Sequence, residues 1–143
     1  MNIIGFNFKK INVEKFLDKV ENIKINTKID VSEITMIKSD ILKTKEEIIG
    51  IRFNYEISYD PDFAKIGFSG NILFSIESKK AKEILKQWKD KKIPEDFKIT
   101  LFNVILRKSN IKALQLEDEM NLPLHISLPS LKKQEAVDKE EQK

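Results

Sequence analysis

The chain has no cysteine. That removes disulfides, thiolate zinc sites and cysteine nucleophiles, and it fits a reducing compartment. Histidine occurs once, at His125, so a histidine-rich metal site is excluded as well. Only Arg52 and Arg107 are arginines, the other basic side chains being lysines. Phosphate readers favour arginine for its planar fork. No charge sign dominates: 26 Lys and Arg stand against 23 Asp and Glu. Such a balance does not call for a nucleic-acid or anionic-membrane partner. No apolar run approaches the ~18 residues of a membrane span. The start, MNIIGFNFKK, lacks the pattern of a secretory signal. The expectation is a cytoplasmic protein without membrane insertion. At 143 residues, one domain with a proper core is the natural size. Richness in Ile, Lys and Glu suits a thermophile and an AT-rich genome equally.

What is present is strand patterning, strongest over residues 46–77. Ile49, Ile51, Phe53, Tyr55, Ile57 and Tyr59 fall on every second position. After Asp60-Pro61-Asp62, the alternation resumes with Ile66, Phe68, Gly70, Ile72, Phe74 and Ile76. Side chains alternate faces along a strand, so this reads as a long β-hairpin with one apolar face. Upstream, Ile4, Phe6 and Phe8 mark a short first strand, with 12–22 a connection holding one helical turn at most. Ile23, Ile25, Thr27, Ile29 and Val31 form a second strand. Its apolar phase shifts across Ser32-Glu33 and resumes at Ile34 and Met36, as a bulge or sharp bend requires. Lys38 to Glu47 reads as a loop.

Downstream the period becomes helical. Ser78 is placed to cap a helix, and Ala81, Ile84, Leu85 and Trp88 share one face. Ile93-Pro94 ends it and opens a second helix, from about Pro94 to Met120. Phe97, Leu101, Val104, Ile105 and Ile111 lie on one side of that helix. Phe102, Leu106, Ala113, Leu116 and Met120 lie on an adjacent side. Two apolar stripes imply burial on two sides. Leu124 to Pro129 is extended and apolar. The domain spans residues 1–129, and 130–143 is a charged tail expected to be disordered. Strands followed by helices, β-β-β-β-α-α, predict the α+β class: a four-stranded antiparallel sheet with both helices on one face.

Candidate chemistry is sparse. His125 as a base or metal ligand needs companions that the sequence does not display, and it reads as packing. Asp60 and Asp62 are turn residues, and Glu117-Asp118-Glu119 a solvated helix end. Acids there oppose the helix dipole, a small anomaly. The lysines of 79–92 read as a solvated face rather than an RNA contact, since Trp88 is the only stacking aromatic among them. Gly67 and Gly70 do not open a helix, so they form no phosphate loop.

The order of elements, with Phe6-Asn7-Phe8-Lys9-Lys10-Ile11, a long bent second strand, Gly70-Asn71-Ile72-Leu73-Phe74-Ser75-Ile76 and a proline-containing exit from the second helix, resembles the SecB export chaperones. It is also similar to SecB-like relatives in archaea and toxin–antitoxin loci. The resemblance covers residue 3 to about 129. It implies an ATP-independent holdase that binds unfolded or extended polypeptide, needs no cofactor and is not an enzyme. It implies a homo-oligomer, dimer or tetramer, assembled through the strands and first helix, here Phe6, Phe8, Ala81, Ile84, Leu85 and Trp88. It implies a client groove drawn from Ile57, Tyr59, Phe68 and Phe74 on the sheet, walled by Ile93, Phe97, Leu101 and Leu124. One departure matters. SecB proper docks the SecA motor through an acidic sheet surface, whereas here Lys24, Lys28, Lys65 and Arg52 stand beside Asp30 and Glu56; this speaks against SecA docking. The alternatives are a structural subunit whose second apolar stripe is buried in one defined complex and, behind it, an RNA-binding protein.

Overall fold

Residues 1–37 and 46–131 are described by a computed structural model. Strands β1 (Asn2–Lys15), β2 (Lys24–Ile37), β3 (Glu46–Asp60) and β4 (Ala64–Glu77) precede helices α1 (Ser78–Trp88) and α2 (Glu95–Glu119). The sheet is antiparallel throughout, in the order β1-β4-β3-β2. The hairpin forms the centre because its two strands carry the longest uninterrupted alternation. Ile49 to Tyr59 on β3 and Ile66 to Ile76 on β4 bury every second side chain beneath the helices. Glu46↔Glu77 through Tyr59↔Ala64 pair without a slip, and the turn holds a cis Asp60-Pro61 bond.

The parity change in β2 is a bulge: the register with β3 shifts between Val31 and Glu33. The bulge returns Ile34 and Met36 to the helix side, opposite Ile51 and Ile49. β1 is longer than the short strand expected, and no helical turn follows it. Register shifts between Ile3 and Gly5 and between Phe8 and Lys10 hide its period. With two bulges, Ile3, Phe6, Phe8, Ile11 and Val13 all face the helix side, opposite Phe74, Ile72, Gly70, Phe68 and Ile66. Ile4, counted in the apolar run by alternation, falls in the first bulge and is exposed. The end of β1 is tied to the hairpin tip, where Phe16 N–H donates to the Phe63 carbonyl at 2.8 Å.

Gly70 is demanded by packing. A methyl group there would press into the Asn7 carbonyl oxygen of β1 and touch the Phe53 ring. Phe6, Phe8, Phe53, Phe68 and Tyr55 fill the space around it as a chain of rings, with neighbouring centroids 5.1–6.3 Å apart. Gly70→Ala is therefore expected to cost about 1–3 kcal/mol, the usual range for overpacking, read as a lower urea midpoint. Wild-type stability would show that β1 can shift away freely.

β4 runs directly into α1. Its N-cap is Glu77, and Ser78 is the first helical residue without a side-chain cap. Pro94 is likewise the N-cap of α2 rather than its first residue, with Glu95 and Asp96 in the first turn, where carboxylates suit the dipole. α2 buries every fourth residue: Phe97, Leu101, Ile105, Ser109, Ala113 and Glu117. A step of four overshoots the 3.6-residue turn, so the buried line winds around the helix. Ile111, grouped above with Phe97, is accordingly 54% exposed. α2 closes with Asn121 in the left-handed region and Leu122 N–H donating back to Glu117 O at 2.8 Å, a Schellman ending. Most of the loop at 38–47 and of the tail from 130 lies outside the described residues.

Candidate functional site

The sequence-derived groove residues divide. Ile57, Tyr59, Phe68, Phe74, Phe97 and Leu101 lie in the sheet–helix core, all at 5% exposure or less. Phe74 and Phe97 meet edge to face at 5.4 Å. In this chain they line no open groove, because α2 lies directly on the sheet and leaves no gap between those walls. Ile93 and Leu124 are accessible but do not meet: one precedes α2 and the other follows it, separated by a helix of about 37 Å at 1.5 Å per residue. Of the residues expected at an oligomer interface, Ala81 and Ile84 are fully buried under α1, within the chain's own core. Leu85, Trp88, Phe6 and Phe8 are half-buried against it.

A cleft of about 1080 Å³ opens instead between β2 and the helical connection. Ile29 and Val31 supply one wall; Trp88, Ile93, Pro94 and Phe102 supply the other. Asp30, Glu83, Lys92 and Glu95 stand at its rim. The connection is shaped locally: Lys91 adopts the left-handed region, and Lys92 N–H closes back on the Gln87 carbonyl at 3.1 Å. Lys80 donates to the Asp96 carboxylate, joining α1 to the first turn of α2. That bond holds Asp96 below the usual carboxylate range and Lys80 above its own. Two aromatic faces are capped by cations, with Lys91 Nζ 4.5 Å from the Trp88 centroid and Lys98 Nζ 5.6 Å from that of Phe102. Sequence alone names Trp88 and Ile93; Ile29, Val31 and Phe102 join them only through the fold.

A second cluster lies under the C-terminal strap, residues 122–131. Tyr55 Oη donates to Asn110 Oδ1 at 2.6 Å, and Tyr59 Oη donates to Glu117. His125 Nδ1 donates to Glu117 Oε1 at 2.8 Å, and His125 N–H donates to Glu117 Oε2 at 3.2 Å. His125 Nε2 lies 3.0 Å from Asn110 Oδ1, and Tyr59 Oη also reaches the Pro123 carbonyl at 3.0 Å. The Glu117 carboxylate is wholly buried, so the reading of residues 117–119 as a solvated helix end fails at its first residue. His125 has the acidic companion that the sequence concealed, and the side chains of the pair are 4% and 0% exposed. The pair ties the strap to the last turn of α2. Among the described residues, no group of three or more acidic, histidine or cysteine side chains could hold a metal. No described helix is long and apolar enough to cross a membrane.

Burial, reinforced for Tyr59 by the hydrogen bond to Glu117, pushes both phenols far above the ordinary tyrosine value of about 10. A raised folded-state pKa contributes stability that is complete below about pH 10 and is lost as pH rises towards the folded value. These are the chain's two tyrosines. Native protein should therefore show almost no tyrosinate absorbance just above pH 10, with the signal appearing together with alkaline unfolding. Free phenol titration in folded protein would contradict the buried network.

No family model matches this sequence, and no curated protein sequence matches it. Among solved structures the fold is similar to the SecB-like chaperone Rv1957 of Mycobacterium tuberculosis, in complex with a ChAD peptide from the Rv1956 HigA1 antitoxin. The TM-score is 0.51 at 12% identity, over 92% of this chain and 89% of that one. Four antiparallel strands followed by two helices on one face are thus a SecB-like fold.

Proposed function

We propose that the chain is a cytoplasmic, ATP-independent chaperone that holds unfolded or extended polypeptide, without a cofactor and without catalysis. The observation that carries this is the open cleft with Ile29, Val31, Trp88, Ile93 and Phe102 on facing walls. Apolar burial is non-directional, so such walls accept many sequences, and a charged rim keeps the surface soluble. The similar chaperone structure holds a peptide, which supports a polypeptide as occupant here. The likeness carries the fold, and the cleft carries the function.

The test is aggregation suppression. Purified protein, without nucleotide, should keep a dilute unfolded client soluble at near-stoichiometric ratio. Failure by folded protein would leave a SecB-like scaffold serving one defined complex. That second reading draws on β1, whose helix-side stripe is left open at Ile3 and Ile11, 46% and 44% exposed. A second copy of the chain covering β1 would give the homo-oligomer that the resemblance implies. Sedimentation at several concentrations checks it, with a monomer at every concentration as the contrary result.

A further inference from the structure

We propose that the outer face of α1 docks an acidic helical segment of a partner protein. The surface is a ridge of four lysines: Lys79, Lys82 and Lys86 on the helix and Lys89 at its C-cap. The proposal goes beyond client capture, since none of the four lines the cleft.

All four are exposed. Their spacing of three, four and three residues sets them within about 80° of arc over about 15 Å of helix. Ala81 and Ile84, which α1 buries, lie on the other side. The neighbouring cations are engaged elsewhere: Lys80 with Asp96, Lys91 over Trp88, and Lys92 at the cleft rim. Among the described residues, none of the four ridge lysines forms an ion pair. Of the acids nearest in sequence, Glu77, Glu83 and Asp90, Glu83 lines the cleft instead.

This arrangement works against α1 itself. Lys79, Lys82, Lys86 and Lys89 are successive neighbours three or four residues apart, and like charges at that spacing destabilise a helix. Lys79 and Lys80 stand in the first turn, which holds no acid, at the pole where the dipole disfavours cations. The N-cap, Glu77, makes no side-chain cap hydrogen bond. α2, by contrast, places Glu95 and Asp96 in its first turn. Several local rules broken together mark a functional position rather than a merely solvated one.

The chemistry selects carboxylates on a helix. The ridge has no arginine, whose planar fork grips phosphate. Trp88, the ring nearest to it in sequence, is half-buried and has Lys91 over it, so it makes a poor platform for stacking bases. A second copy meeting this face across a two-fold axis would set lysine against lysine. A partner helix has the same rise per residue, so carboxylates at the same three-four-three spacing fall opposite the ridge. Leu85, half-buried beside it, supplies an apolar contact.

The experiment uses the full chain at physiological salt and an alanine-rich helical peptide of about twenty residues, long enough to fold in water. The peptide carries glutamates at the three-four-three spacing, and a matched peptide carries glutamines there. The glutamate peptide should bind roughly tenfold or more tightly than its match, from four exposed ion pairs, and should be lost at high salt. Changing Lys79, Lys82, Lys86 and Lys89 together to Gln should remove that preference. The urea midpoint should stay the same or rise, because the like-charge contacts go with the lysines. The same change at Lys9, Lys10, Lys24 and Lys28, exposed on the strands, removes equal charge and should leave the preference in place. Equal binding of the two peptides, an equal loss in the strand variant, or a lower urea midpoint in the ridge variant overturns the proposal. Tighter binding of single-stranded oligouridine than of the glutamate peptide, lost in the ridge variant, overturns it in favour of RNA.

Discussion

Glu117→Ala is expected to destabilise the fold by about 3–5 kcal/mol, the cost of removing one partner from a buried, hydrogen-bonded pair. The alanine would remove an acceptor from three donors at once, Tyr59 Oη, His125 Nδ1 and His125 N–H, of which Tyr59 Oη keeps the Pro123 carbonyl. None of the three gains water in exchange, because the side chains of the pair are 0% and 4% exposed. Total domain stability is about 5–15 kcal/mol, so the variant should sit near its unfolding threshold. Glu117→Gln keeps an acceptor oxygen and should lose less. The checks are a urea titration and amide exchange across residues 122–126, which should open before the sheet does. A loss below about 1 kcal/mol, the value of an exposed ion pair, would mean the strap is not anchored there.

The second large effect separates core from cleft. Tyr59→Glu with Phe97→Glu should abolish folding, since both side chains are fully buried and an unpaired carboxylate in an apolar interior costs several kcal/mol. Ile93→Gln with Phe102→Gln should leave a folded protein with its sheet intact, because both positions are partly open at the cleft. Client capture should weaken roughly a hundredfold or more, because each of these two side chains contributes about 1.5 kcal/mol or more when a client buries it. Circular dichroism and aggregation suppression, run on both pairs, decide it. A folded core pair that no longer holds client would restore the groove between sheet and α2. A cleft pair with full capture would remove the cleft from the mechanism.

Both predictions follow from one correction. Alternation in β3 and β4 says which side chains share a face. It does not say whether that face meets solvent or a helix. Tyr59 and Phe97 look equally apt as groove or core in the sequence, and the close seating of α2 on the sheet decides for core. The opposite correction applies to Phe102. It belongs to the second apolar stripe of α2, and the sequence offered no sign that Ile29 and Val31 would face it across an opening.

The buried network was the least legible part. Ser109 and Glu117 continue the buried line that starts at Phe97, yet apolar periodicity passes over them because they are polar. The available signal was the misfit of an acid in the last turn of a helix, where the dipole disfavours it. For Glu117 the burial and the pairing with His125, eight residues on, answer that misfit. The pairing depends on the Asn121 reversal, which turns the strap back along the helix.

The sequence by itself determined the order of the elements, the central hairpin, the bulge in β2, the start of α1 and both ends of α2 to within a residue or two. It ended β1 too early and carried α1 past Trp88 to Ile93. What it determined depends on neighbours in the chain, through periodicities of 2 and 3.6 and through turn chemistry. The tertiary structure alone decided what those faces meet. It placed six expected groove residues in the core, opened a cleft beside β2 and brought His125 to Glu117. Such outcomes depend on how closely two elements seat against each other, a distance that no local pattern encodes.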